Sequence, residues 1–230
     1  MNARIDTVVS DTDTDKAPNG VKRISEVTTQ RSKNRRSIFL DGEFAFGVAE
    51  ETYVKFALVV GRTFSDEELE EIKEWDEFFN ARQSGYGYVV RRRRSRHQIV
   101  DRLRRTGYSE AAIEDALRYL KEYGLLDDAE YVRCWVHERL LKKEVGRFKL
   151  TGELRAKGVA PLLIDEVLNE LLTDEEEIRM ALNVAAKKFA TMKKKDPYTD
   201  RRNLSTFLNG RGFGRNAVAV AMESIFKPDR

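Results

Sequence analysis

An apolar frame that ends in glycine occurs three times in this 230-residue sequence. In the first occurrence Ile99 and Leu103 are four residues apart, and Gly107 follows after another four. The frame returns 51 and then a further 54 residues along the chain, as Leu150, Leu154 and Gly158 and as Leu204, Leu208 and Gly212. Apolar residues in matching register also follow each glycine. Registered matches of this kind are typical of copies of one structural unit.

Each copy is predicted to form a helix, a sharp corner and a second helix. Apolar residues four apart lie on one face of a helix, and a following glycine can adopt the left-handed conformation that ends it. Ser95 and Gln98 form a capping-box pattern at the start of the first copy, and Ser109 can cap its second helix. Two short helices cannot bury both apolar faces alone, so the copies are expected to stack along the chain.

A third helix is expected after each of the first two helix pairs. The start signals of these helices are Asp127 and Thr173, each followed three residues later by glutamate. In the first of them, Tyr131, Trp135 and Leu141 are expected to face inward. The predicted fold class is therefore mainly α, with tandem three-helix repeats that resemble helix-turn-helix units.

The repeats are preceded by a region of different character. Residues 1–20 are expected to be a disordered tail, because they contain few residues that a core could bury. Residues 21–64 are predicted to form an antiparallel β-meander and a short helix, with Asp41-Gly42 as a hairpin turn. Residues 65–93 are predicted to be helical and could represent a degenerate repeat. The three repeats are assigned to residues 94–145, 146–196 and 197–230, and the last of these is expected to be truncated.

Positive charge is concentrated in the repeated part of the chain. Residues 1–90 contain 12 Lys/Arg and 17 Asp/Glu, whereas residues 91–230 contain 30 and 22, which gives net charges of −5 and +8. Five of the arginines, Arg91 to Arg94 and Arg96, lie within six residues at the entrance to the first copy. A solvated helix end would account for two or three of them, and an acidic partner would account for the whole set. Both interpretations stay open at this point.

The sequence lacks the features of a secreted or membrane protein. Its single cysteine, Cys134, excludes an internal disulfide framework and fits a reducing compartment. No segment approaches the roughly 20 apolar residues of a membrane span, and the N-terminus has no apolar signal core. We therefore expect a cytoplasmic protein that is monomeric and has no membrane partner.

No catalytic or metal-binding constellation is evident. His97 and His137 are too far apart for a helical metal pair and lack a cysteine cluster. Asp127, Asp128 and Glu130 could serve a metal-dependent nuclease, but helix capping explains this pattern more simply. We therefore expect no enzyme activity, no cofactor and no metal, and magnesium-dependent cleavage lost in Asp128→Asn would revive the nuclease alternative.

Several segments together resemble the bacterial RecX family of recombination regulators. Besides the repeat frame, they are GLLDD at 124–128, RSR at 94–96 and FLDGEFAFGV at 39–48. The resemblance covers residues 21–226 approximately. It implies an elongated, curved array of three-helix repeats that binds the RecA recombinase filament on DNA and restrains its ATPase, strand-exchange and coprotease activities. The acidic tail and the run of four arginines are departures whose role the resemblance does not explain.

The basic residues of the repeats are the candidate interaction surface. A filament groove presents protein carboxylates and DNA phosphates along a line, so an extended basic array can contact several subunits at once. The candidate residues are Arg91, Arg92, Arg93, Arg94, Arg96, Arg102, Arg104, Arg105, Lys142, Lys143, Arg147, Arg155, Lys157, Arg201, Arg202 and Arg211. A helical-repeat module that binds single- or double-stranded DNA, or RNA, directly remains the alternative function.

Overall fold

The structure is a computed structural model, and it describes residues 20–31, 34–193 and 195–226. The tail predicted for residues 1–20 therefore lies outside the described residues, apart from Gly20. The chain divides into two compact units, Met1–Asn80 and Ala81–Arg230. No helix in the described part of the chain is long and apolar enough to cross a membrane.

The first unit contains a small antiparallel sheet with the strand order β3-β2-β1-β4. The elements are β1 (Val21–Thr29), β2 (Arg35–Leu40), β3 (Glu43–Ala49), α1 (Glu50–Lys55) and β4 (Thr63–Ser65). Asp41 and Gly42 both have positive φ angles, of 50° and 91°, as the predicted tight hairpin turn requires. The predicted meander is confirmed. The pattern did not predict β4, because three residues are too few to show alternation.

One continuous helix, α2 (Asp66–Arg91), leads from the first unit into the second. It starts with the capping box of Ser65 and Glu68, in which each backbone N–H donates to the other residue's side chain. From Ala81 onward α2 belongs to the second unit. There, a methyl group at Gly85 would lie 3.2 Å from Leu120. Glycine therefore lets α2 approach the next helices closely.

The second unit continues with eight further helices among the described residues. They are α3 (Arg96–Thr106), α4 (Glu110–Glu122), α5 (Asp128–Lys142), α6 (Arg147–Arg155), α7 (Pro161–Leu171), α8 (Asp174–Thr191), α9 (Pro197–Gly210) and α10 (Arg215–Phe226). In the packing, α5 contacts α7, and α8 contacts both α9 and α10. In this packing α5 and α8 each contact helices of the pair that follows them, whereas the sequence assignment placed each of them after a pair. Grouped in this way, α8, α9 and α10 form the third group of three helices within the second unit.

The three predicted corners share one backbone geometry. Gly107, Gly158 and Gly212 have φ angles of 99°, 73° and 77°. In each corner the N–H of the residue after the glycine donates to the carbonyl of the last apolar frame residue, at 3.4, 3.3 and 3.4 Å, as in a Schellman motif. Those frame residues, Leu103, Leu154 and Leu208, are all fully buried. The three-helix repeat is therefore confirmed. The turns at Gly107, Gly158 and Gly212 are called the first, second and third corners below.

Candidate partner-binding clefts

The second and third corners each dock on the start of an earlier helix. At the second corner, the Lys157 carbonyl accepts a hydrogen bond of 2.7 Å from the hydroxyl of Ser95, which caps α3. At the third corner, the Arg211 carbonyl accepts one of 3.0 Å from the backbone N–H of Gly146, which precedes α6. Ser95 and Gly146 are 51 residues apart, and Lys157 and Arg211 are 54 apart. The stacking contact thus repeats with the sequence frame, and each docking places a cation at the junction.

A carboxylate accepts a hydrogen bond from the first backbone N–H of each of these two helices, α3 and α6. The backbone N–H of Arg96 donates to Asp128 at 2.7 Å, and that of Arg147 donates to Glu177 at 2.8 Å. Arg96 and Arg147 are 51 residues apart, so both junctions use this contact at the same repeat position. Burial raises the pKa of the Asp128 carboxyl above its ordinary value.

Two of the three carboxylates of the nuclease alternative, Asp127 and Asp128, are engaged in helix capping, and that of Glu130 accepts a hydrogen bond from the Cys134 thiol. The Asp127 side chain accepts the N–H of Glu130 at 3.0 Å as the cap of α5, and Asp128 caps α3. Within the described ranges, no group of three or more His, Cys, Asp or Glu side chains is placed to hold a metal ion. These contacts are those of a structural junction.

A cleft of about 900 Å³ lies between α2, α3 and the second corner. We call it the first basic cleft. Its cationic lining residues are Arg91, Arg94, Arg102, Arg105 and Lys157, with His97 beside them. The remaining walls are mostly polar and include Gln83, Ser84, Tyr88 and Gln98. Asp101 is the one carboxylate in the described lining.

Much of the positive charge in the first basic cleft is not neutralised. Arg105 pairs with Asp101 at 2.9 Å. Arg94 lies over the ring of Tyr88 at 4.4 Å, and its buried Nε has no hydrogen-bond partner among the described residues. Two further arginines, Arg91 and Arg102, form no ion pair with any described carboxylate. The cleft is therefore a concave surface with unused guanidinium donors, which suits phosphate or carboxylate groups.

A second cleft, of about 690 Å³, lies between the ends of α5, α8 and α9. We call it the second basic cleft. Its cations are Lys142, Lys143, Lys187, Lys188 and Arg211. Its apolar lining residues are Leu140, Leu141, Val184 and Phe207. Lys188 and Arg211 lie 5.1 and 4.9 Å from the centroid of the Phe207 ring. This cleft therefore combines positive charge with an apolar surface.

Among the predicted arginines outside the two clefts, Arg96 and Arg104 form the shortest ion pairs within the described part of the molecule. Arg104 makes a two-pronged contact with Glu110 at 2.8 and 2.9 Å, and that hydrogen bond lowers the pKa of the Glu110 carboxyl. Arg96 reaches Glu114 at 2.8 Å. Neither arginine lines a basic cleft as a free donor. Their guanidinium groups serve the local structure.

The other predicted residues are not brought into either cleft. The Arg147 side chain donates to the Leu172 carbonyl at 2.5 Å and to Asn169, so it joins α6 to the end of α7. The remaining exposed arginines outside both clefts are Arg92, Arg93, Arg155, Arg201 and Arg202. Of these, Arg92 and Arg93 lie 4.0 Å from the carboxylates of Glu138 and Glu130. Of the sixteen predicted residues, eight thus line the two clefts.

The structure also corrects one prediction and adds two residues. Leu141, expected to face inward, is 74% exposed, because Val132 and Val136 form the buried stripe of α5. Lys187 and Lys188 line the second basic cleft but were not predicted. The signal available in the sequence was the pair of adjacent lysines late in a helix otherwise rich in alanine.

Family models match four consecutive parts of the chain. They are described as the regulatory protein RecX N-terminal domain at residues 22–65, and as the first, second and third three-helix domains of RecX at 81–120, 127–168 and 174–222. The three helical matches follow the packing groups, because each begins with or within a long helix. Together the four models span most of the described chain.

Whole-chain relatives and solved structures agree with these matches. The regulatory protein RecX of Clostridium botulinum (strain Eklund 17B / Type B) is 31% identical over 207 residues, which are 88% of this chain and 96% of the relative. That of Clostridium beijerinckii is 27% identical over 87% of this chain and 93% of the relative. A crystal structure of regulatory protein RecX superposes with a TM-score of 0.69 at 25% identity, over 88% of this chain and 99% of that one. RecX from Lactobacillus salivarius shares the fold, with a TM-score of 0.61 at 18% identity over 65% and 97% of the two chains.

Proposed function

This chain belongs to the RecX family of regulatory proteins, and from that premise we propose that it binds the RecA recombinase filament on DNA. The proposed effect is modulation, mainly inhibition, of the filament's ATPase, strand-exchange and coprotease activities, and hence regulation of DNA repair and recombination. We propose that the protein acts in the cytoplasm as a regulator without enzymatic activity or a cofactor of its own.

The first basic cleft is the observation that most supports filament binding. Its free arginines, Arg91 and Arg102, line one concavity together with Arg94 and Lys157. Guanidinium groups bind phosphate and carboxylate through paired N–H donors, and a nucleoprotein filament presents both anions. A surface that already satisfied its arginines internally would not offer these donors.

The stacking of the repeats supports contact at more than one point. The second and third corners deliver Lys157 and Arg211 to the first and second basic clefts, respectively. A filament repeats the same surface from subunit to subunit, so basic clefts at successive junctions can engage it together. Linked contacts of this kind raise overall affinity above that of either contact alone.

The direct test is capture of the protein by RecA on single-stranded DNA with ATP present, compared with RecA alone and with DNA alone. We expect clear capture by the assembled filament and weaker capture by each component. A parallel assay should show a lower ATPase rate of the filament when this protein is added. Equal capture by bare DNA, with no effect on the ATPase rate, would contradict the proposal and favour the direct DNA- or RNA-binding alternative.

A further inference from the structure

The second basic cleft differs from the first in a way that indicates its ligand. We infer that it binds an acidic protein segment that carries one large apolar side chain. The inference names the kind of filament surface that would enter this cleft, and to that extent it rests on the proposed function. The peptide test below uses this protein alone, however, so the two can fail separately.

The apolar part of the second basic cleft favours a ligand with an apolar side chain. Leu141 is 74% exposed, next to the half-buried Leu140 and to the Phe207 ring. Exposed apolar groups clustered in a concave surface are characteristic of protein-binding sites. A volume of about 690 Å³ accommodates a large side chain together with its backbone. A neighbouring depression of about 500 Å³ shares Leu140, Leu141 and Glu144, which leaves the end of α5 accessible along a longer path.

The charged part of the second basic cleft favours a ligand that carries carboxylates. Lys142 and Lys143 are exposed and form no ion pair with a described residue, and Lys187 reaches Glu144 at 3.8 Å. Glu144 is itself occupied, because both of its carboxylate oxygens accept hydrogen bonds from Asn183 at 2.8 and 2.7 Å. The cleft therefore keeps a positive excess that an acidic segment would neutralise.

The same contacts argue against a nucleic-acid backbone as the ligand. Arg211 is the one guanidinium in the described lining. It already donates through Nη1 to the Glu144 carbonyl at 3.2 Å and lies over Phe207, so part of its donor set is used within the molecule. A sugar–phosphate chain would also leave Leu141 against a hydrated ligand. An acidic segment with an apolar anchor satisfies the ammonium groups and buries the leucine together.

The test is fluorescence anisotropy with three labelled probes. The first is a peptide of Glu and Asp residues around one central Phe, the second has Ser in place of that Phe, and the third is an oligothymidylate of equal net charge. We expect the Phe peptide to bind at least tenfold more tightly than the Ser peptide. Leu141→Asp, and separately the double variant Lys142→Glu with Lys143→Glu, should each weaken binding of the Phe peptide at least tenfold.

Matched controls carry the same chemical changes elsewhere. Leu162 is 85% exposed and outside both clefts, so Leu162→Asp should bind the Phe peptide within twofold of the parent. The double variant Arg201→Glu with Arg202→Glu makes the same charge change as the lysine pair and should also bind within threefold. Circular dichroism and thermal unfolding establish that each variant is folded.

Three outcomes would overturn the inference. They are equal binding of the Phe and Ser peptides, equal loss in the control variants, and binding of the oligothymidylate that Lys142→Glu with Lys143→Glu abolishes while the peptides do not bind. Filament capture is measured on the same proteins. If the peptide binds as expected but the filament is not captured, the proposed function fails and the ligand assignment stands.

Discussion

The two basic clefts share part of their construction and differ in the rest. Arg91 and Lys142 are 51 residues apart and occupy the same repeat position, as do Lys157 and Arg211 with a separation of 54. The third wall differs, because the first basic cleft is closed by α3 whereas the second is closed by α8 and α9. The repeat thus places cations at equivalent points, and the local third wall sets the chemistry around them.

The corners that supply these shared cations are themselves not equivalent. A methyl group at Gly158 would lie 2.1 Å from the His97 ring, and one at Gly212 would lie 2.3 Å from the Lys149 backbone nitrogen. At Gly107 the same methyl group would meet no atom of the described residues within 4 Å. The second and third corners are therefore docked, and the first is open.

The largest expected loss of stability follows from this difference between the docked and open corners. Gly212→Ala should lower the free energy of unfolding by about 3 kcal/mol or more, because a left-handed non-glycine residue is strained and the methyl group meets backbone atoms. Gly107→Ala has the same kind of strain without the clash, so its cost should be about 1 kcal/mol. Urea unfolding of both variants measures the two costs. Equal costs would show that the third corner is not docked as described.

The second-largest loss of stability is expected where α2, which forms one wall of the first basic cleft, contacts α4. Asp115 is 4% exposed and accepts hydrogen bonds of 2.5 and 2.9 Å from Arg82, which hold α2 against α4. Asp115→Asn should destabilise the protein by about 2 kcal/mol near neutral pH, because a buried charge-assisted contact is lost. Arg82→Lys is the matched variant, since it keeps the charge but not the two-pronged geometry, and it should cost less.

This pair also predicts a pH dependence. The hydrogen bond from Arg82 lowers the pKa of Asp115 below its ordinary value. Its contribution to stability is therefore complete above the ordinary aspartate pKa and is lost as the pH falls through the lowered, folded-state pKa. Asp115→Asn should destabilise the protein fully at neutral pH and progressively less under acidic conditions. A destabilisation that stayed constant down to the acid transition would contradict this assignment.

A smaller effect is expected at the helix that leads to the second basic cleft. Arg139 contacts Glu153 at 2.9 and 3.1 Å between α5 and α6. Both side chains are partly exposed, so solvent weakens the interaction, and Glu153→Gln should cost only about 0.5 kcal/mol. The shift in thermal midpoint measures it. A loss as large as that in Asp115→Asn would mean that the two junctions are held with similar strength.

The smallest effect is expected at an arginine outside the clefts. Arg104 is exposed but already contacts Glu110 through both prongs of its guanidinium. Arg104→Glu should therefore change filament affinity by less than about twofold, since it removes no free donor from a cleft. Arg102→Glu, two residues away in the first basic cleft, is the comparison and should have the larger effect on a filament-binding titration.

Local features of this structure could be predicted from the sequence. The glycine corners, the Ser95 cap and the Asp41-Gly42 turn each depend on residues within a few positions. The clefts depend on contacts between distant residues, such as Ser95 with Lys157, 62 positions apart, and Glu144 with Arg211, 67 apart. Charge counting therefore predicted a basic surface in the repeats, but it did not separate free arginines from those, such as Arg104, that pair internally.

The central claim is that unneutralised cations in the first basic cleft, rather than total charge, bind the filament. Its most direct test is to measure the affinity of this protein for RecA filaments on single-stranded DNA, with ATP present, over a range of salt concentrations. Arg91→Glu with Arg102→Glu should weaken binding at least tenfold and make the salt dependence shallower, because phosphate or carboxylate contacts are lost. Arg201→Glu with Arg202→Glu, which makes the same charge change outside both clefts, should weaken it less than about threefold. Equal losses in the two double variants, or an unchanged affinity in the first, would contradict the account.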